Sequence, residues 1–251
     1  MKNRFKNFCN VTATAAVLGT VLVISTEQSA AGNLEEPVVI APVAVATPTV
    51  LDLSGFYVGG SLAYGVGISD DVGHKRPNGV LVTTPGTVNP AGINYGVRLG
   101  WRNNLPLGRL AYVHGFELGY DLADIEDSFS TATYNASSEI ESVLSLKYKG
   151  GLTNLSKNTL FYSTIGYTRS EIDYSVVGAT GSDAINLNSS TDKDGLVFGL
   201  GVERAINQDL SVLFEWEYNY IDGFSLSDGA GASTVVTPSF NNFRLGLNYN
   251  F

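Results

Sequence analysis

From Gly55 to the C-terminus, apolar side chains recur at every second position in eight separate segments. The first sets Phe56, Val58, Leu62, Tyr64, Val66 and Ile68 against Gly55, Gly59, Ser61, Ala63, Gly65 and Gly67. The second runs Ile93 to Trp101 against Asn94, Arg98, Gly100 and Arg102, and the third runs Leu110 to Tyr120 against Gly115, Glu117, Gly119 and Asp121. In the fourth, Ile140, Leu144, Leu146 and Tyr148 oppose Glu141, Ser145, Lys147 and Lys149. The fifth, around Phe161, Ile165 and Tyr167, is the least regular: Leu160, Tyr162, Ile172 and Tyr174 take the other parity, which predicts a bulge or burial on both faces. The sixth spans Leu196 to Val202, the seventh Leu210 to Tyr220, and the last Phe243 to Phe251. A period of two is the signature of strands; helices repeat every 3.6 residues.

The connections alternate in length. Short ones near 103–109, 153–158 and 206–209 carry Asn, Gly and Pro turn residues, whereas those near 69–91, 123–137, 179–192 and 225–238 are long and polar. Short turns at one end and long loops at the other characterise a membrane barrel. The predicted fold is therefore all-β: an eight-stranded antiparallel transmembrane β-barrel over 53–251, with short periplasmic turns, long extracellular loops and both termini periplasmic. The bulky face, with Tyr64, Trp101, Tyr112, Tyr120, Tyr148, Tyr220 and Tyr249 toward segment ends, faces lipid and forms interfacial girdles. The opposite face carries glycines and both signs of charge: Glu117, Asp121, Glu141, Glu203, Glu215 and Glu217 against Arg98, Arg102, Lys147, Lys149 and Arg244. Eight strands enclose an interior that side chains just fill. Buried charges must be paired, so these eleven residues are expected to form ion pairs that plug the barrel.

The N-terminal residues bear on destination. Lys2, Arg4 and Lys6 precede an apolar stretch, Ala13 to Ile24, and then Ser29, Ala30 and Ala31, the layout of a signal peptide over 1–31. Residues 32–52 hold three prolines among Val and Ala and read as an extended periplasmic leader. The only Cys, Cys9, leaves with the signal, so no internal disulfide is expected. The formal charge of −9 argues against nucleic acid as a partner, because phosphate binding needs a positive surface. No run of about twenty apolar residues exists to span a membrane as a helix.

The export signal, the Pro/Val/Ala leader, the opening Gly55-Phe56-Tyr57-Val58-Gly59-Gly60 and the aromatic close on Tyr249 and Phe251 resemble the opacity-protein-like, porin-family surface barrels, with the architecture of the OmpA-type membrane domain. The resemblance implies a Gram-negative outer membrane and contact with its lipid and lipopolysaccharide. It also implies recognition of Tyr249 and Phe251 by the barrel-assembly machinery. A structural or loop-mediated surface role follows, with an extracellular ligand reached through the loops. A small pore, an adhesin or a lipid-modifying barrel enzyme are the alternatives.

Other candidate chemistry is sparse. His74-Lys75-Arg76 is a basic triplet in the first long loop that could meet lipopolysaccharide phosphates. His114 lies among apolar positions, and no Ser or Asp spacing completes a triad with it. Asp192-Lys193-Asp194-Gly195 resembles part of a calcium loop without its closing Glu. Glu215 and Glu217 share one strand face and are more simply ion-pair partners than a glycosidase pair. The chain is expected to be no enzyme and to need no cofactor or metal.

Overall fold

The structure, a computed structural model, describes residues 53–251. The expected signal peptide and leader lie outside the described residues. Twelve strands follow one another: β1 (Gly55–Gly67), β2 (Asp70–Lys75), β3 (Leu81–Val88), β4 (Ala91–Leu107), β5 (Leu110–Ser130), β6 (Tyr134–Thr153), β7 (Thr159–Gly178), β8 (Ile185–Ala205), β9 (Leu210–Ile221), β10 (Phe224–Ser227), β11 (Ser233–Val236) and β12 (Phe240–Asn250). A single 3-10 turn, Gly181–Asp183, joins β7 to β8. Eight of the strands close into an antiparallel barrel in the order β1-β12-β9-β8-β7-β6-β5-β4. Closure is made by β1, which pairs with β4 on one side and with β12 on the other.

The faces divide as the alternation predicts. Phe56, Leu62, Ile93, Val97, Leu99, Phe116, Phe161, Leu200, Leu245 and Leu247 stand exposed around the wall. Their strand neighbours Tyr57, Arg98, Glu117, Glu203 and Arg244 are buried inside. Two inward glycines are required by a close approach. Gly100 lies directly across from Tyr57 and Gly201 across from Tyr162, and a Cβ on either glycine would sit within 2.3 Å of the ring. The tyrosines thus lie flat against bare backbone, a pairing that seats a large ring in a narrow barrel.

The long connections are folded, which the sequence reading did not anticipate. β5 to β8 run on past the wall as continuous strands, so that 123–137 holds only a turn between Ser130 and Tyr134. The other four barrel strands break at one level. The breaks fall at Ile68-Ser69, Asn89-Pro90, Asp222-Gly223 and Thr237-Pro238-Ser239, after which β2, β3, β10 and β11 form a second sheet in the order β10-β11-β2-β3. Proline cannot donate to a ladder and restricts the residue before it, so a ladder ends naturally at Pro90 and Pro238. The short sheet and the extensions of β5–β8 enclose a dry core of Val72, Val88, Tyr134, Ala136, Tyr174, Val176, Ile185, Leu187, Ala232 and Val236. We call this double layer, at the end opposite both Leu53 and Phe251, the distal layer.

Polarity therefore reverses along single strands. The outward residues of β7 change from Phe161, Ile165 and Tyr167 to Arg169, Glu171 and Asp173, while its inward residues change from Thr164, Thr168 and Ser170 to Ile172, Tyr174 and Val176. β7 has no bulge: the reversal accounts for the parity of Ile172 and Tyr174, while Leu160 and Tyr162 are buried inside at the same end where Phe161 faces out, so that end is apolar on both faces. The bulge is in β6 instead. Its register slips between Ile140 and Ser142, which turns Ile140 into the interior.

Candidate functional site

The barrel interior concentrates the ionisable chemistry. Strict alternation on β4, β5, β6, β8, β9 and β12 aims Arg98, Arg102, Glu117, Asp121, Lys147, Lys149, Glu203, Glu215, Glu217 and Arg244 inward, and nearly all are fully buried. Eight of them form one connected set of four cations and four carboxylates, and Arg102 pairs with Glu203 beside it.

The set is arranged in tiers. Nearest the short turns, Arg102 Nη1 donates to Glu203 at 2.8 Å, and its other terminal nitrogen donates to Asn250. Ser211 and Asn248 also donate to Glu203. In the middle, Lys147 Nζ lies 2.7 Å from Glu217, 3.0 Å from Glu117 and 3.4 Å from Glu215. Lys149 Nζ bridges Glu117 at 2.7 Å and Glu215 at 2.9 Å. On the distal side, Asp121 takes two bonds from Arg98 and two from Arg244, and Arg244 also holds Glu217 at 2.9 Å. Equal numbers of opposite charges, each within bonding distance, offset a desolvation cost of several kcal/mol per ion.

Two tyrosines complete the set. Tyr57 donates to Glu117 at 2.8 Å, with the Arg102 guanidinium 4.6 Å from its ring centroid. Tyr162 donates to Glu215, with Lys149 Nζ 5.0 Å from its ring. Both act as donor at the hydroxyl and as cation acceptor at the ring face. The sequence reading did not single out Tyr57 for the interior, although its parity with Gly59 and Ser61 gave the signal. Gly119 makes room for Arg98, whose Nη1 would lie 2.9 Å from an added Cβ.

Packing leaves little space. One residual cavity of about 20 Å³ lies beside Tyr57, Arg102 and Glu203, and another of about 10 Å³ lies between Asn94, Asp121, Asn242 and Arg244. Each has room for about one water molecule at most. Ile125, Ile140, Val143, Ile172, Ile221 and Phe240 form an apolar plane on the distal side of the ions.

The remaining candidates fall elsewhere. Glu141 is not in the network. It occupies the β6 bulge, half-buried, where its carboxyl meets Asp173 and Glu171 and is pushed above the usual carboxylate range mainly by Asp173. The bulge breaks the parity that it would otherwise share with Lys147. His74 is no solvated loop charge: it is fully buried on β2, and Arg76 is engaged in a two-pronged bond to Asp183 at 2.7 and 2.9 Å. His114 stacks on Tyr112 at 5.6 Å and approaches Tyr148 at 6.3 Å, within the aromatic girdle near the short turns. Asp192 pairs with Arg169 at the surface. Tyr249 and Phe251 stand outward in edge-to-face contact at 5.2 Å.

Among curated proteins, none matches the chain in sequence. Three solved structures illustrate what it is similar to. Ail, the attachment invasion locus protein of Yersinia pestis, solved with the heparin analogue sucrose octasulfate, is 15% identical over 78% of this chain and 99% of its own, with a TM-score of 0.39. Neisserial surface protein A is 16% identical over 79% of this chain and 98% of its own, with a TM-score of 0.42. OprG of Pseudomonas aeruginosa is 14% identical over 79% of this chain and 96% of its own, with a TM-score of 0.46. The profile of the outer membrane protein beta-barrel domain matches residues 38–251, and with that match the chain belongs to the outer-membrane β-barrel family.

Proposed function

We propose that the protein is a closed outer-membrane barrel whose role is structural and whose contacts with other molecules run through the distal layer, held outside the cell. Both ends of the barrel chain lie at the short-turn end, which this reading makes periplasmic. That is where an exported leader would remain and where assembly machinery would meet Tyr249 and Phe251. Lipid and lipopolysaccharide surround the apolar band. The 74–76 triplet is not a free basic patch for lipopolysaccharide phosphates, since His74 is buried and Arg76 is already paired with Asp183.

The observation that carries the closed reading is the ion-pair network with its apolar plane. A permeant ion would have to separate charges bonded at 2.7–3.0 Å and then pass the apolar layer of isoleucines, Val143 and Phe240. Planar-bilayer recording of the purified protein tests it. The expected result is no steady conductance; stable single-channel steps at modest voltage would overturn the plug. The same network favours a non-catalytic reading. A carboxylate bonded to two cations is a poor proton acceptor, and the outward His114 is in contact with tyrosines.

A further inference from the structure

The distal layer contains one group that is at odds with its surroundings. His74 is the last inward residue of β2, after Asp70 and Val72, and its exposure is 0%. Its Nδ1 lies 2.9 Å from the Tyr134 hydroxyl and its ring meets Tyr134 edge-on at 5.8 Å. Its Nε2 is buried with no hydrogen-bond partner. Val72 and Tyr134, which flank it, belong to the dry core. The neutral ring already leaves one nitrogen unsatisfied. The protonated ring would carry two N–H donors and a charge into an apolar core where it bonds one hydroxyl, that of Tyr134.

The backbone ladder on either edge of the strand that carries His74 is weak, and the Arg76–Asp183 pair ties its end to the 3-10 turn. The β2–β3 register slips twice, between Val72 and His74 and again between His74 and Lys75. On its other edge, β2 meets β11 through one residue pair, Ser233 with Lys75. By contrast, β5 to β8 pair without interruption through most of the same layer.

We propose that His74 makes the β2–β3 hairpin an acid-released flap, which leaves the distal core when the imidazole protonates and uncovers Val72, Val88 and their partners. The charged and titratable groups around it set the range. Burial holds its pKa below the usual 6.5, and Arg76, just past the end of its strand, pushes the same way. Asp183 from the 3-10 turn and Asp228 from the β10–β11 turn pull the other way. Both carboxylates are held below their usual range, Asp183 by Arg76 and Asp228 by backbone N–H groups, so they stay charged while His74 titrates. Tyr134, on β6, stays neutral, its pKa raised by burial. A histidine with a lowered folded pKa binds protons more readily once released. The closed flap is therefore fully stable above about pH 6.5 and loses stability as pH falls below it. The inference concerns the distal layer whichever side of the membrane it faces, so it stands apart from the conductance result.

The test is hydrogen exchange with mass spectrometry on the whole protein in detergent micelles, at about pH 7.5 and about pH 5.5, corrected for intrinsic rates. Peptides covering 70–88 should lose protection at the lower pH, by up to about tenfold, while the β5–β8 extensions keep theirs. In His74→Phe, which keeps an aromatic ring against Tyr134, protection should not change with pH. An equal loss in His74→Phe, or none in the natural chain, overturns the proposal. If His74→Phe is already open at the higher pH, direct NMR titration of the His74 imidazole decides. A pKa below 6.5 that coincides with the loss of protection supports the flap, and an ordinary pKa or no coincidence rejects it.

Discussion

A single buried ammonium illustrates how the interior is stabilised. Lys147 is 1% exposed and touches Glu117, Glu215 and Glu217. Truncating it leaves three buried carboxylates with one fewer cation among them. Lys147→Ala should cost ~3–5 kcal/mol in urea unfolding from micelles. Arg169, which reaches Asp192 and Asp194 across the solvent-facing surface, is the control: Arg169→Ala should leave the unfolding midpoint where it was. Equal sensitivity of the two would mean that the interior ions are hydrated. At this scale the sequence was largely legible, because each inward charge keeps strict parity with its neighbours. Glu141 was not, because a one-residue slip in β6 shifts every side chain beyond it to the other face. No residue type at 140–142 announces that slip.

At the scale of elements, the membrane part of each strand was legible and its continuation was not. Above the lipid band the outward positions are Asp124, Glu126, Asn135, Asn186 and Asn188, and such stretches read as polar loops. The inward partners that make them strands, such as Tyr134, Val176 and Leu187, are sparse and offset by small residues. The β2–β3 and β10–β11 hairpins are shorter still and carry Pro85, Pro77 and several glycines. The distal layer has its own core, so it should fail independently of the barrel. Val236→Asp places a carboxylate at a fully buried position of that core. Limited proteolysis should then cut within 70–88 and 224–237, while the band keeps the heat-modifiable mobility of a closed barrel. Loss of that mobility would show that barrel and distal layer form one cooperative unit.

On the scale of the whole molecule, one cylinder meets two solvents. Where the surroundings are lipid, the wall is apolar and the filling is ionic; where they are water, the wall is charged and the filling is apolar. The reversal falls at one height, on β7 between Tyr167 and Arg169 and on β8 between Asp194 and Leu196. Hydrocarbon cannot satisfy polar side chains, and water drives apolar ones inward, so this height marks the edge of the membrane. The most direct test is a nitroxide scan along β7, one label at a time from position 161 to 175, in lipid vesicles. Labels at 161, 165 and 167 should be relaxed by oxygen, which partitions into lipid, and those at 169, 171 and 173 by a water-soluble nickel chelate. Inward labels at 164 and 168 should be reached by neither reagent. Nickel relaxation at 161–167, or accessibility without a two-residue period, would contradict the assignment of the apolar wall to lipid.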